Sequence, residues 1–161
     1  MKLTTKGRYA VTAMLDLAFH GAERPVALTD IAKRQHISLS YLEQLFARLR
    51  RAGMVEGVRG PGGGYQLSRD TTQISVADII SAVDESVDPT RCGGKGNCHN
   101  NLPCLAHEVW LGLSVQIREY LAGINLHDLI SRENVRQVAE RQDRIAMGSP
   151  YLELMQRPST H

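Results

Sequence analysis

ISLSYLEQLFARLRRAGMVEGVRGPGGGYQLS, residues Ile37–Ser68, holds two kinds of periodicity back to back. In its first part Leu42, Leu45, Phe46 and Leu49 recur at helical spacing, the stripe of a helix with one buried face. Ser40 followed by Glu43 has the form of a capping box, so this helix is expected to start at Ser40 and to end at Gly53. The pattern then switches. Met54 to Arg59 reads as a strand, Gly60 to Gly64 as a tight flexible tip, and Tyr65 to Ser68 as the returning strand.

Upstream, a short helix is expected from Asp30 to Gln35, with Thr29 as its N-cap and Leu28, Ile31 and Ala32 facing inward. His36 and Ile37 connect it to the next helix, which makes a helix-turn-helix, and the hairpin behind it makes that motif winged. Before it, Val11, Met14, Leu15, Ala18 and Phe19 mark a helix from Tyr9 to His20 that stops at Gly21. Behind the hairpin, Ser75 and Asp78 form a second capping box and open a helix through Val76, Ile79, Ile80 and Val83.

From Ser86 to Pro103 the pattern collapses into Gly93, Gly94, Gly96, Asn97, Asn100 and Asn101, a stretch too polar to build a core and expected to stay loose unless something ties it down. After Pro103, Leu105, Val109, Leu113, Ile117 and Leu121 recur at every fourth position on a helix of roughly 18–20 residues, widened by Trp110 and Tyr120 and ended by Gly123. Its apolar face either completes the chain's own core or pairs with a second copy. Pairing is the favoured reading, because a winged helix commonly reads two half-sites as a dimer. Asn125 and Asp128 open a short helix with Leu129 and Ile130, and regularity fades beyond Arg141. The expected architecture is therefore mainly α: a winged helix-turn-helix DNA-binding domain over 1–85, a loop over 86–104, a dimerisation helix and short packing helix over 105–140, and a disordered tail over 141–161.

Composition fits this reading. Hydrophobic residues make up 42% and charged residues 22% of 161, ordinary values for a globular chain. There is no apolar run of about 18 residues to span a membrane and no signal-peptide pattern at the start, so no membrane partner and a cytoplasmic location are expected. The net charge of +2 is unevenly spread: residues 1–70 hold 11 Lys and Arg against 6 Asp and Glu (+5), residues 71–161 hold 8 against 11 (−3). A basic front half suits a polyanion partner, with double-stranded DNA, RNA and an acidic protein surface all compatible.

On the exposed face of the recognition helix, Ser38, Ser40, Tyr41, Gln44, Arg48 and Arg51 surround the core stripe. Gln44 suits adenine, and the serines suit bases or phosphates. Glu43 either accepts from a cytosine amino group or only caps its helix. Arg59 at the base of the tip is placed for a narrow minor groove, with Gly60 and Gly62 letting the backbone approach phosphates. Lys6 and Arg8, ahead of the first helix, are expected phosphate contacts. The glycine tip lacks the Lys-Ser/Thr of a nucleotide-binding P-loop, and Pro61 breaks a dinucleotide fingerprint.

Cys92, Cys98, Cys104 and His107 stand as C-x5-C-x5-C-x2-H. Three soft ligands and an imidazole suit tetrahedral zinc or one edge of an iron–sulfur cluster; the wide, glycine-rich spacing favours the larger inorganic unit. Cys104 and His107 are expected on one face at the start of the long helix. His99 is a rival fourth ligand, and a metal-free thiol–disulfide sensor is a further reading. An odd cysteine count argues against a disulfide framework.

The runs MKLTTKGRYAVTAMLDLA and ISLSYLEQLFARLRRAGMVEGVRGPGGGY, with the C-x5-C-x5-C-x2-H loop, resemble the iron–sulfur cluster regulators of the Rrf-type winged-helix family over about residues 1–135. The resemblance implies a homodimer with one 2Fe–2S cluster per subunit on Cys92, Cys98, Cys104 and His107. It also implies repression of cluster-assembly genes by the loaded form, regulation of a second class of sites by the apo-form, a role for Glu43 in telling the two classes apart, and a cluster-assembly scaffold protein as a partner. A family member that senses nitric oxide through a three-cysteine cluster is the nearest rival. A metal-dependent interaction module that does not bind DNA is a reading from another class. No acid–base or nucleophile constellation marks an enzyme.

Overall fold

A computed structural model describes residues 3–148. Seven helices and one two-stranded hairpin follow one another: α1 Thr5–His20, α2 Leu28–Gln35, α3 Leu39–Arg51, β1 Val55–Val58, β2 Gly64–Leu67, α4 Val76–Ala82, α5 His107–Ala122, α6 Leu126–Ile130 and α7 Glu133–Ala146. The mainly helical, winged architecture is as the sequence predicts.

α1 supplies Ala10, Ala13, Met14, Leu17 and Ala18 to the core, and α3 meets them with Leu42, Leu45, Phe46 and Leu49. α1 begins four residues earlier than its apolar stripe suggests, so Lys6 and Arg8 lie within the helix rather than ahead of it. Its cap explains the difference. Thr4 makes no side-chain cap bond, and the Glu85 carboxylate accepts from the Thr4 N–H at 2.8 Å instead. Gly7 allows this approach: a Cβ there would stand 2.2 Å from Glu85 Oε2.

Two start signals are corrected. α2 starts at Leu28 with Ala27 as N-cap, so Thr29 lies inside it. α3 starts at Leu39, with the Ser38 hydroxyl accepting from the Tyr41 N–H at 3.3 Å. Ser40 and Glu43 therefore form no capping box; the serine two residues upstream has already taken the cap position. The boxes at Ser75/Asp78 and Asn125/Asp128 are both present.

In the wing, Val55 pairs with Leu67 and Val58 with Gly64 in antiparallel register. Val26, between α1 and α2, exchanges both backbone bonds with Tyr65 at 2.8 Å and ties the tip-side half of β2 to the head. Tyr65 then packs edge-on against Phe46, with ring centroids 4.9 Å apart. At the tip the backbone is too close for any side chain at Gly63, where a Cβ would meet Val58 O at 2.3 Å.

The head is not closed at residue 85. Leu126 is fully buried in the same core, and Ile74–Val76 pairs with Ile124–Leu126 through bonds of 2.9 and 3.0 Å. The chain thus leaves the head at Glu85 and re-enters it at Leu126. α7 is an element the sequence reading lacks: residues 141–146, assigned there to a disordered tail, are its last turns, while 149–161 lie outside the described residues. α7 is fastened to α1 and α2 by polar contacts. The buried Asp16 carboxylate takes Arg34 Nε and Nη2 at 3.0 and 2.7 Å and Gln35 Nε2 at 2.7 Å. His20 bridges from the Asp16 carbonyl to Asp143 at 2.8 Å each, and Gln35 exchanges amide bonds with Gln142.

Candidate metal centre and DNA-reading surface

The loop between α4 and α5 is a series of turns rather than a loose strand. Asp88 accepts from the Thr90 N–H at 2.7 Å and from the Ser114 hydroxyl of α5 at 3.2 Å. The Thr90 hydroxyl in turn accepts from the Gly94 N–H at 2.8 Å. Farther on, His99 and Leu102 close a two-residue hairpin around Asn100 and Asn101, both left-handed at φ 48° and 62°. Asparagine tolerates that conformation better than most residues, which gives the pair its place in such a turn. The expectation of a loop loose unless tied is thus met by ties that the loop and Ser114 supply.

These turns bring Cys92 Sγ, Cys98 Sγ and a ring nitrogen of His107 within 4.8 Å of one another. His107 Nδ1 faces both thiols, at 3.6 Å from Cys92 and 3.8 Å from Cys98. His107 is 6% exposed, whereas the three cysteines are half-buried and free of disulfides. Burial pushes the Cys92 thiol up, but the backbone N–H groups of Gly96, Gly94 and Asn97 together with the Cys98 thiol outweigh it and bring it to about 7. At Cys98 the Cys104 N–H, 3.1 Å away, favours the thiolate, while the neighbouring thiols and burial push the group up overall.

Cys104 is placed differently from its expectation. α5 begins at His107, so Cys104 lies ahead of the helix and does not share a helical face with it. Its carbonyl accepts from the His107 N–H at 3.0 Å and its own N–H points at Cys98, but its thiol is outside the close group. His99 is exposed in its hairpin and does not join. Thiolate-forming sulfurs around one fixed imidazole nitrogen fit zinc or an iron–sulfur unit by donor chemistry.

The long helix has 16 residues, with Leu105 left ahead of it and fully exposed. Val109, Trp110, Val115 and Tyr120 are exposed as well; only His107 and Ser114 of α5 are buried. Its apolar surface does not complete the core of this chain.

On the surface expected to read DNA, Ser38, Ser40, Glu43, Gln44 and Arg51 are exposed along α3, and Arg59, Gly60 and Gly62 are exposed on the wing. With Ser38 as cap, Glu43 is left free of the capping role. Tyr41 is half-buried, edge-on to Tyr9 with centroids 5.8 Å apart. Arg8 is exposed and Lys6 half-buried on α1. Arg48 is taken by an ion pair with Asp84, beyond the end of α4. Sequence reasoning missed Asp84, Glu85, Asp88 and the Asp16 cluster. Asp84, Glu85 and Asp16 work through partners far along the chain, and Asp88 through the distant Ser114 as well as its neighbour Thr90.

No helix among the described residues is long and apolar enough to cross a membrane. Residues 3–132 match the family Rrf2, described as an iron-dependent transcriptional regulator. The HTH-type transcriptional regulator IscR of Xenorhabdus nematophila is 59% identical over 143 residues, 89% of this chain and 87% of that one. IscR of Photobacterium profundum is 52% identical over 161 residues, 100% of this chain and 94% of its own. Among solved structures, T. potens IscR is 42% identical with a TM-score of 0.67, covering 81% of this chain and 86% of that one. CymR, the global cysteine regulator of B. subtilis, is 34% identical with a TM-score of 0.71, covering 81% and 97%.

Proposed function

Given that the chain belongs to the Rrf2 family of transcriptional regulators, we propose that it is a homodimeric, cytoplasmic DNA-binding regulator that senses iron–sulfur supply. Its signal would be a 2Fe–2S cluster, one per subunit, on Cys92, Cys98, Cys104 and His107. The observation that carries this reading is the convergence of Cys92, Cys98 and His107 Nδ1 within 4.8 Å. When bound, such a cluster supplies an oxidant- and supply-sensitive centre whose mixed sulfur and nitrogen ligation makes it comparatively labile.

The chain's own residues do the rest. Asp88, Thr90 and Ser114 hold the ligand loop against α5, and His107 is presented by its buried position at the helix start. The exposed Leu105, Val109 and Tyr120 support α5 as the surface on which a second copy packs, since apolar area of this kind is normally covered. A dimer would carry two α3 helices to successive half-sites of duplex DNA, with Ser40, Glu43 and Gln44 toward base edges and Arg59 toward the minor groove. Repression of cluster-assembly genes by the loaded form, and regulation of other promoters by the apo-form, complete the proposal, with a cluster-assembly scaffold protein as the source of the signal.

The test is visible absorption with iron, sulfide and zinc analysis on protein purified without oxygen, followed by duplex binding. Two iron and two sulfide per chain with charge-transfer bands support the sensor. Stoichiometric zinc without sulfide overturns the signal and leaves the DNA-binding reading standing.

A further inference from the structure

α3 and α4 end in the same backbone motif with different residues at its critical position. After α3, the Gly53 N–H donates to Arg50 O and the Met54 N–H to Leu49 O, both at 3.0 Å, with Gly53 at φ 72°. After α4, the Asp84 N–H donates to Ser81 O at 3.1 Å and the Glu85 N–H to Ile80 O at 3.3 Å, with Asp84 at φ 55°. This is the paired bonding of a Schellman cap, whose left-handed residue is glycine by preference because a Cβ crowds the carbonyl there. An aspartate suffers a second disadvantage, since its anion lies at the negative end of the helix dipole. Glycine would serve local stability better on both counts, so the aspartate calls for a reason elsewhere.

Arg48 supplies that reason. Asp84 pairs with its guanidinium beside Arg51, in the cleft between α3 and α4. Arg48 stands one helical turn after Gln44 on α3, so both lie along the same side of that helix. The pair is exposed, 35% for the Arg48 side chain and 74% for Asp84, so it is open to exchange.

We propose that Asp84 is an internal stand-in for a DNA phosphate. It occupies Arg48 in the free protein and must release it before the recognition helix takes a backbone phosphate, so it sets affinity without touching a base. The inference rests on the reading of α3 as the DNA-reading helix. Arg48 must give up this pair before it can take a phosphate, and the cost of breaking the pair lowers affinity. Position adds reach: the next residue, Glu85, is bonded to Thr4 at the start of α1, and the chain then runs into the loop that carries Cys92.

The test is duplex binding by fluorescence anisotropy across a salt series. The proteins are the full chain and its Asp84→Asn, Asp84→Gly, Arg48→Ala and Arg48→Ala/Asp84→Asn variants. A random-sequence duplex suffices, because a phosphate contact carries no sequence information. Asparagine tolerates the left-handed conformation and glycine favours it, so both single variants keep the cap, which thermal denaturation verifies. Asp84→Asn and Asp84→Gly are expected to tighten binding about three- to tenfold near 0.1 M salt. Arg48→Ala weakens it, and the double variant matches Arg48→Ala. Unchanged affinity in Asp84→Asn overturns the proposal. So does an equal gain in the Arg48→Ala background, where the carboxylate would be acting by charge alone. Failure of the wild-type chain to bind any duplex overturns both this inference and the DNA-binding reading, whereas wild-type binding with an inert Asp84 overturns this one only.

Discussion

Arg34 grips Asp16 through both carboxylate oxygens, at 2.7 and 3.0 Å, and the Asp16 side chain has no exposed surface. A buried charge in that setting is tolerable only while its partners remain, because it has lost its water. The same carboxylate takes Gln35, and Gln35 and His20 then hold α7, so one aspartate organises three helices.

Asp16→Ala is expected to cost about 3 kcal/mol, since it leaves the largely buried Arg34 unpaired. Urea unfolding followed by circular dichroism reads this directly. A loss of under about 0.5 kcal/mol, the size of an ordinary surface change, would contradict the role given to this cluster.

The pH dependence of stability follows from the same residues. Bonding to the Asp16 side chain, opposed by burial and aided by Asp143, raises His20 from 6.5 to about 9. Its contribution is fully present below about pH 6.5 and is lost as pH rises through about 9. Burial pushes Asp16 up, but the bonds from His20, Arg34 and Gln35 outweigh it and hold Asp16 at about 2 against 3.8. That contribution is present above about pH 3.8 and lost as pH falls toward about 2. The urea midpoint should therefore be flat between about pH 4 and 6.5, and His20→Gln should remove much of the alkaline decline. An alkaline limb unchanged in that variant would show another group at work.

Cys98 stands between the other ligand candidates, facing His107 Nδ1 and receiving the Cys104 N–H. Cys98→Ala and His107→Ala should each abolish bound iron and sulfide, while far-UV circular dichroism stays at the wild-type value and some duplex binding remains. Iron and sulfide retained at full occupancy in Cys98→Ala would remove it from the ligand set.

Arg59→Ala should weaken duplex binding by about tenfold in metal-loaded and metal-free protein alike, because a groove contact on the wing does not depend on the ligand loop. Gly63→Ala tests the wing itself. Its Cβ would come within 2.3 Å of Val58 O, so the tip must rearrange and affinity should drop with Tm little changed. Affinity equal to wild type in both variants would take the wing off the DNA.

Local signals made the head legible in the sequence. The Leu42, Leu45, Phe46, Leu49 stripe and the glycines of the tip act within a few residues, and both elements stand where they were expected. Misreadings arose where the deciding partner was distant or where two signals competed. Ser38 and Ser40 are both good caps, and Glu43 favoured the wrong one. α1 starts early because its cap comes from Glu85. α7 carries a thin apolar face, Val135, Val138 and Ala139, amid charges, and its attachment runs through Asp143 and Gln142. At the candidate metal centre, residue types and spacing singled out the donors. The sequence could not show that Cys104 precedes the helix, or that Asp88 and Ser114 brace the loop.

The re-entry of the chain at Leu126 has a mechanical corollary. The excursion from Glu85 to Leu126, ligand loop and α5 together, is bolted to the head at both ends, by Glu85 on Thr4 and by the pairing of Ile74 and Val76 with Leu126 and Ile124. A strut fixed at one end swings about that hinge; one fixed at both ends transmits torsion. A shift imposed at Cys92 or His107 therefore meets the head at two fixed points, α1 and the start of α4, and both of these helices pack against α3.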